Sequence, residues 1–465
     1  MTTTPNQDQS ATYPRGVGRP ASGQGSLIQQ VAEFAVGVRE RGLPAERRHR
    51  ATGRLLDVVG NSLAASGEPI ATIVRTVVDG WGGDGPASVP GSSRRYPAAS
   101  AALLGGTLAH ALDFDDTHLP SVLHPSATVV PVALAAAERA GHGGAAMLDA
   151  IAVGNEFCVR LGLAGYDPSL GNSIFFERGQ HATAICGAVA GAVAAAMLAG
   201  LDAEGVAHAA GIAASMGSGL LEANRTGGTA KRVHTGWAAH SAIVASELAA
   251  AGLTGPPTVL EGRFGFFQAW CGDQAVPQRV TAGLGEVWES DDVHTKPYPC
   301  NHFTHAGIDA ALDLRDRGVN PAEIVGIELG APSAVLRTIA EPAALKAAPP
   351  SGYAAAFSGP YTVAAEVTCV PDEACDSLFP RHLPAVLRVE MTDGRRHEAR
   401  VERNRGGPDR PLDDQEIATK FRLGARTRLD GARVEDLHDT LARAAEADSA
   451  RDLLAACSPA ASKII

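Results

Sequence analysis

The chain has little that would let it bind metal through sulfur, span a membrane or hold nucleic acid. Its seven cysteines, at 158, 186, 271, 300, 369, 375 and 457, include no CxxC pair, so neither a zinc ribbon nor an iron–sulfur ligand set is available. An odd, dispersed set suits reduced thiols in a cytoplasmic protein. Lys and Arg number 40 against 51 Asp and Glu, a net charge of −11, which argues against a nucleic-acid partner. A small anionic ligand stays open, because a few pocket cations matter more to it than net charge. The apolar run Ala184–Leu201 is mostly Ala and Gly, which suits a buried helix better than a membrane span. Met1 to about Ser26 is polar and lacks the basic-then-apolar order of a signal peptide, so it reads as a disordered tail. Aromatics make up only 5% and glycine reaches 52 residues, so helices must pack closely through small side chains.

What is present is first of all helix. A length of 465 residues suggests two to three domains. Helical spacing runs through Leu27–Glu40, Ala45–Ser66, Ile70–Val78, Ala98–Leu112, Ala127–Ala140, Ala145–Leu161, Thr183–Ala199, Asp202–Ser218 and Gly236–Ala251. The character changes near residue 290. Residues 321–329 contain a strand, and 385–391 with 395–402 form a hairpin around an Asp-Gly turn. His305–Arg317 and Tyr353–Val367 read as helices, and helix returns at Gln415–Leu423 and Val434–Ala447. The fold class is therefore mainly α: a large helical domain (27–288 plus 413–465) with a smaller α+β lid domain (289–412).

Four segments concentrate polar chemistry. His110-Ala-Leu-Asp-Phe-Asp-Asp-Thr-His118, followed by His124-Pro-Ser126, packs carboxylates and imidazoles beside an apolar helix, where burial is costly unless the groups are paired or used. If helix continues over 99–117, His110, Asp113 and Thr117 share one face. An aspartate-rich Mg²⁺–diphosphate site is discounted, because no second such motif follows. Arg178-Gly-Gln-His181 stands at the head of a long Ala/Gly helix, whose dipole favours a neutral imidazole, the form a general base needs. Lys231-Arg232-Val-His234 places two cations before small residues, a clamp for anions or a solvated basic turn. Lys296-Pro-Tyr-Pro-Cys300-Asn-His302-Phe-Thr-His305 fits no common zinc spacing, so no metal is assigned to it.

In this order the segments resemble the MmgE/PrpD family. The marks are HALDFDDTH, HPSATVVPVALAAAE, GQHATAICGAVAGAVAAA, KRVHTGWAAHSAIVASELAAAGLTGP, VLEGRFGFF, KPYPCNHFTHAGIDAAL and the FSGPYTVA segment from Phe357, which together cover nearly the whole chain after residue 27. The family includes 2-methylcitrate dehydratase, cis-aconitate decarboxylase and iminodisuccinate epimerase. The resemblance implies a helical domain with an α+β lid, a homodimer, and no metal or other cofactor. It carries the decarboxylase's site residues onto Asp113, Thr117, His124, His181, Lys231 and Tyr361. One catalytic histidine of that enzyme falls on Asn301 here, with His302 and His305 close by, and this chain has one more residue between Thr117 and His124.

The reactions of that family share one step, making or quenching a carbanion beside a carboxylate. The expectation is a cofactor-free dehydratase acting on a citrate-like carboxylate, with decarboxylation or epimerisation as alternatives and a non-catalytic scaffold as a third. His124 and His181 would move protons. Asp113 would orient an imidazole, and Tyr361 would reach in from the lid. Lys231, with Arg178 or Arg232, would meet substrate carboxylates, while Thr117, Asn301, His302 and His305 would contact substrate.

Overall fold

A computed structural model of the chain describes residues 25–223, 228–363, 367–380 and 382–457. The expected disordered tail, apart from Gly25 and Ser26, lies outside the described residues, as does the stretch from 458 onward. The longer helices are α1 Leu27–Arg41, α2 Ala45–Ala65, α3 Pro69–Trp81, α4 Ala98–His110, α5 Ser126–Ala140, α6 Gly144–Ala164, α7 Ala182–Leu198, α8 Ala203–Ala214, α9 Lys231–Ala250, α10 His305–Asp316, α11 Asp414–Ala425 and α12 Gly431–Ala442. Local chemistry sets their ends. Ser26 caps α1 through Gln29 N–H, and an Asp413–Glu416 capping box starts α11. Ile28, Val31, Ala32, Ala35 and Val38 form the buried stripe of α1.

The helical core is built on close approach. Helix α7 is buried along its whole length, which its Ala/Gly composition permits and its lack of amphipathic spacing requires. Helices α4 and α9 cross where Gly106 meets Gly236. A Cβ on Gly106 would come within 2.9 Å of the Gly236 Cα, and one on Gly236 would clash with Thr107 and Leu103. Thr235 Oγ1 donates to Gly106 O at 2.8 Å across the same crossing. This contact brings the start of α9, with Lys231 and His234, toward the end of α4, with His110.

The smaller part carries a mixed four-stranded sheet. Its strands are β3 Ile324–Ala331, β4 Val367–Pro371, β5 Ala385–Met391 and β6 Arg396–Val401, in the order β4-β3-β5-β6. Strand β3 pairs parallel with β4 and antiparallel with β5, and β5 with β6 forms the expected hairpin. Helix α10 covers one face through Ala306, Ala310 and Leu314. The expected helix over 353–367 does not form as one piece. Helical turns occupy Gly352–Ala355 and Gly359–Val363, parted by Phe357 and Ser358 ahead of Gly359-Pro360, while Val367 opens β4. A short antiparallel pair, β1 Thr117–His118 with β2 Val293–His294, ties the polar loop after α4 to the segment leading into the sheet region.

Candidate active site

Four helix ends converge on the polar cluster: the C-terminus of α4 and the N-termini of α5, α7 and α9. Three helix N-termini aimed at one place favour an anion there. Each end delivers an imidazole. His110 is the last residue of α4, His124 sits just before α5, His181 is the N-cap residue of α7, and His234 lies in the first turn of α9. The rings form a chain with centroid separations of 5.1 Å for His110–His124, 5.4 Å for His110–His181 and 5.2 Å for His181–His234.

Helix α4 stops at His110, so the expected shared face of His110, Asp113 and Thr117 is not what brings them together. Asp113 takes a positive φ of 53°, which a short polar side chain tolerates better than most. That turn is then fixed residue by residue. Asp113 accepts from Lys231 Nζ at 3.0 Å and from Lys296 Nζ at 3.3 Å, and Lys296 also reaches the Asp113 carbonyl at 2.5 Å. Phe114 O accepts from Lys420 of α11 at 2.8 Å. Asp115 accepts from His110 Nδ1 at 2.7 Å. Asp116 takes Arg54 at 2.9 Å and the Ser126 N–H and hydroxyl at the head of α5. Thr117 pairs with His294 across β1–β2.

The electrostatics follow from burial and these partners. Burial opposes ionisation of Asp113, but Lys231 and Lys296 outweigh it and hold the carboxyl well below its usual range. Asp115 behaves likewise, with His110 and His124 offsetting its burial. His181 is pushed well below the usual imidazole range, first by burial and then by His110 and Lys231. Burial lowers His124 to about 4, against the pull of Asp115, and lowers His234 to about 4. His124, His181 and His234 are therefore neutral at pH 7.

Hydrogen bonds also assign tautomers. His124 Nδ1 lies 2.6 Å from the Asp116 carbonyl, which can only accept, so Nδ1 carries the proton and Nε2 holds the lone pair. The Thr117 hydroxyl stands 3.1 Å from the same Nδ1. His110 Nδ1 donates to the Asp115 carboxylate. The Nε2 atoms of His110 and His181 are buried with no partner among the described residues. Buried polar atoms of this kind mark a place where a ligand can bond.

The structure gathers Asp113, Thr117, His124, His181 and Lys231 as the sequence suggested, but with altered roles. Asp113 binds two lysines rather than orienting an imidazole; Asp115 does the orienting, through His110. Arg178 is engaged elsewhere, donating to Trp270 O at 2.7 Å and Gln274 Oε1 at 3.4 Å, so it braces the 270–274 turn. Tyr361 is 63% exposed on the Gly359–Val363 turn and is not part of the buried cluster. Asn301 spends its side-chain oxygen on Phe303 N–H, capping the turn over 302–304. Arg232 is half-buried beside Lys231.

His302 and His305 belong to a second imidazole group with His294, at ring separations of 5.2 and 4.6 Å. Asn404 Nδ2 donates to His302 Nε2 at 2.9 Å, and His305 Nε2 donates to Cys300 O at 3.1 Å. Both rings are buried, and burial lowers both, His305 to about 3. Sequence reasoning missed Lys296, His110, Asp115 and His234 as site members. The signal for Lys296 was present: a lysine directly before a rigid Pro-Tyr-Pro turn, in an acidic chain.

Comparison with known proteins matches residues 29–279 to the MmgE/PrpD N-terminal domain, and residues 298–367 and 364–443 to the MmgE/PrpD C-terminal domain. This chain belongs to the MmgE/PrpD family. It is similar to the cis-aconitate decarboxylase-like protein oryM of Aspergillus oryzae, at 26% identity over 479 residues, covering 93% of this chain and 97% of that one. It is similar to cis-aconitate decarboxylase of Aspergillus terreus at 26% identity, over 64% of this chain and 62% of the relative. Cis-aconitate decarboxylase of Homo sapiens is 32% identical over 48% of this chain and 45% of its own. The last two alignments thus span less than two thirds of those relatives. Among the described residues, no helix is long and apolar enough to cross a membrane.

Proposed function

We propose that this MmgE/PrpD enzyme is a cofactor-free lyase that removes water from a citrate-like hydroxy di- or tricarboxylate. The observation that carries this reading is the pairing of buried neutral imidazoles with a buried Lys–Asp–Lys group. Dehydration begins with abstraction of a proton beside a carboxylate, which needs a base in its unprotonated form. His181, with its unpartnered Nε2, takes that proton. Lys231 and Lys296 bind substrate carboxylates and stabilise the enolate-like charge that forms next to them. His124 Nε2 accepts a hydrogen bond from the substrate hydroxyl, and the Lys231 ammonium supplies the proton that leaves with it as water. Thr117 fixes His124 rather than the substrate.

A second reading, decarboxylation of an unsaturated tricarboxylate, is favoured by the names of the relatives. There the first step needs no base, and a lysine ammonium protonates the carbanion left by CO₂. Asn301, occupied as a turn cap where a catalytic histidine is expected, weighs against it. NMR in D₂O with citrate, 2-methylcitrate, cis-aconitate and iminosuccinate separates the classes. Loss of water is expected. Release of CO₂ would replace this reading by the second, α-deuteration alone would point to an epimerase, and no change together with no thermal shift by any of the acids would point to a scaffold.

The reading includes a homodimer. Its support is the outward face of α3, where Ile73, Val77 and Trp81 lie exposed at helical spacing near exposed Trp237 of α9, both tryptophans packing on His240.

A further inference from the structure

His181 and His234 face each other through their Nδ1 atoms at 3.1 Å. Two imidazole nitrogens at that distance share one proton: one donates and the other accepts. His181 is only 4% exposed, whereas His234 is half-buried. The pair is held by backbone rather than chance. Gly219 passes so close that a Cβ there would come within 3.0 Å of His181 Cβ and 3.2 Å of His234 Nδ1. The Gly219 carbonyl accepts from the His181 N–H at 3.0 Å, which pins His181 at the head of α7. Lys231 lies one turn before His234 on α9 and is already matched by Asp113. On the far side, His181 Nε2 has no partner among the described residues.

We propose that His234 is the proton outlet of His181, so that the two rings form a relay from the buried site to water. This rests on the reading of His181 as the base. The balance is simple. His181 Nε2 gains the proton taken from the substrate carbon. Its Nδ1 proton passes to His234 Nδ1. The His234 Nε2 proton leaves to water. A solvent proton re-entering at His234 Nε2 drives the reverse shift, His181 Nε2 passes its proton to the Lys231 amine left when water departs, and the starting tautomers and the ammonium are both restored. No oxidant or co-reactant is involved. The consequence is that the positive charge formed on His181 leaves for the bulk while the substrate-derived hydrogen stays on its Nε2, so a buried base is neutralised without opening the pocket.

The relay is testable without knowing the substrate. Protein labelled with ¹⁵N at histidine should show a scalar coupling between the two Nδ1 atoms across their hydrogen bond. It should also show a His181 ring proton that exchanges quickly with water. In His234→Phe that exchange should slow by about a hundredfold, the low end of what a positioned proton-transfer group contributes. His234→Gln keeps a hydrogen-bond acceptor for His181 but cannot pass a proton, so its exchange should be as slow. A His234→Gln protein exchanging at the wild-type rate, or wild-type protein without the coupling, overturns the relay. With an acid from the panel above that turns over, both variants should lose kcat more than they lose binding, and imidazole should restore kcat in His234→Ala. If no acid turns over, the dehydratase reading falls, while the exchange rates still decide the relay.

Discussion

Asp113→Asn is the sharpest single perturbation of this molecule. The wild-type carboxylate lies 3.0 Å from the Lys231 ammonium and 3.3 Å from that of Lys296, all three side chains being nearly inaccessible. At an effective dielectric of about 20, each contact contributes about 5 kcal/mol of attraction, most of which offsets the cost of burying the charges. The amide removes the attraction and leaves two ammoniums buried beside each other. Breaking a buried charge group in this way costs about 3–5 kcal/mol. The assay is urea unfolding at pH 7 and again at pH 9.5. In the wild type, the depressed Asp113 carboxyl adds stability that is fully present above its unfolded value and is lost only as pH falls through its much lower folded value, so nothing changes between pH 7 and 9.5 from this group. In the variant the unfolded chain binds more protons than the folded one, because a buried ammonium that has lost its counter-charge prefers to lose its proton, and stability rises with pH. Loss of the carboxylate should also make citrate a stronger stabiliser of the variant than of the wild type, since it restores negative charge beside both lysines. An exposed control, Asp409→Asn, breaks the 3.3 Å contact to Arg403 and the 3.6 Å contact to His382 and should cost less than about 1 kcal/mol. An Asp113→Asn protein within about 1 kcal/mol of wild type at pH 7, or one with no rise toward pH 9.5, would refute the argument.

Four other outcomes are expected. His181→Ala should lose about 10²–10⁴ in turnover with its circular dichroism intact, since the ring makes no capping bond to α7; full turnover sinks the base assignment. The kcat/KM profile should stay level from pH 8 to about 5 and fall only as His124 protonates near its value of about 4; for the same reason this group adds stability as pH rises from there to its unfolded value of about 6.5. A profile that falls between pH 7 and 6 contradicts the burial argument. Gly219→Ala forces a Cβ against the His181–His234 pair and should cost about 10² in turnover, as a misplacement of about 1 Å does, which steady-state kinetics checks. Trp81→Glu should shift the sedimenting species to a single chain if the α3 face joins two copies.

The helical part was legible in the sequence because its helices end at strong local signals. Leu27, Ala45, Ala98 and Asp414 begin within a residue of where capping residues or proline place them. The hairpin was legible from Asp393-Gly394 for the same reason. Strand β4 was not, because Val367–Pro371 is too short to show alternation and gains its identity from lying parallel to β3. Helix α9 begins at Lys231 rather than Gly236, since its first turn is polar and looks like loop when read alone. In the site, residue types were readable but partners were not. Asp113 and Asp115 are two positions apart and chemically identical, yet one meets lysines from 231 and 296 and the other meets a histidine from 110. Only the tertiary arrangement distinguishes them. Tyr361 and Arg178 illustrate the converse: a matching motif identifies a position without fixing where its side chain goes.

The loop Asp113–Thr117 is gripped by side chains or strands from residues 54, 110, 231, 294, 296 and 420. Lys420 also forms an ion pair with Asp57 at 2.6 Å and lies 3.9 Å over the Phe114 ring, so the last of these grips closes three parts of the molecule at once. A chain without α11 would keep the other grips but lack the one that ties this loop to α2 through Asp57. The loop is therefore completed only by a residue 306 positions beyond Phe114, so its final geometry waits on the return of the chain from the sheet region to the helices.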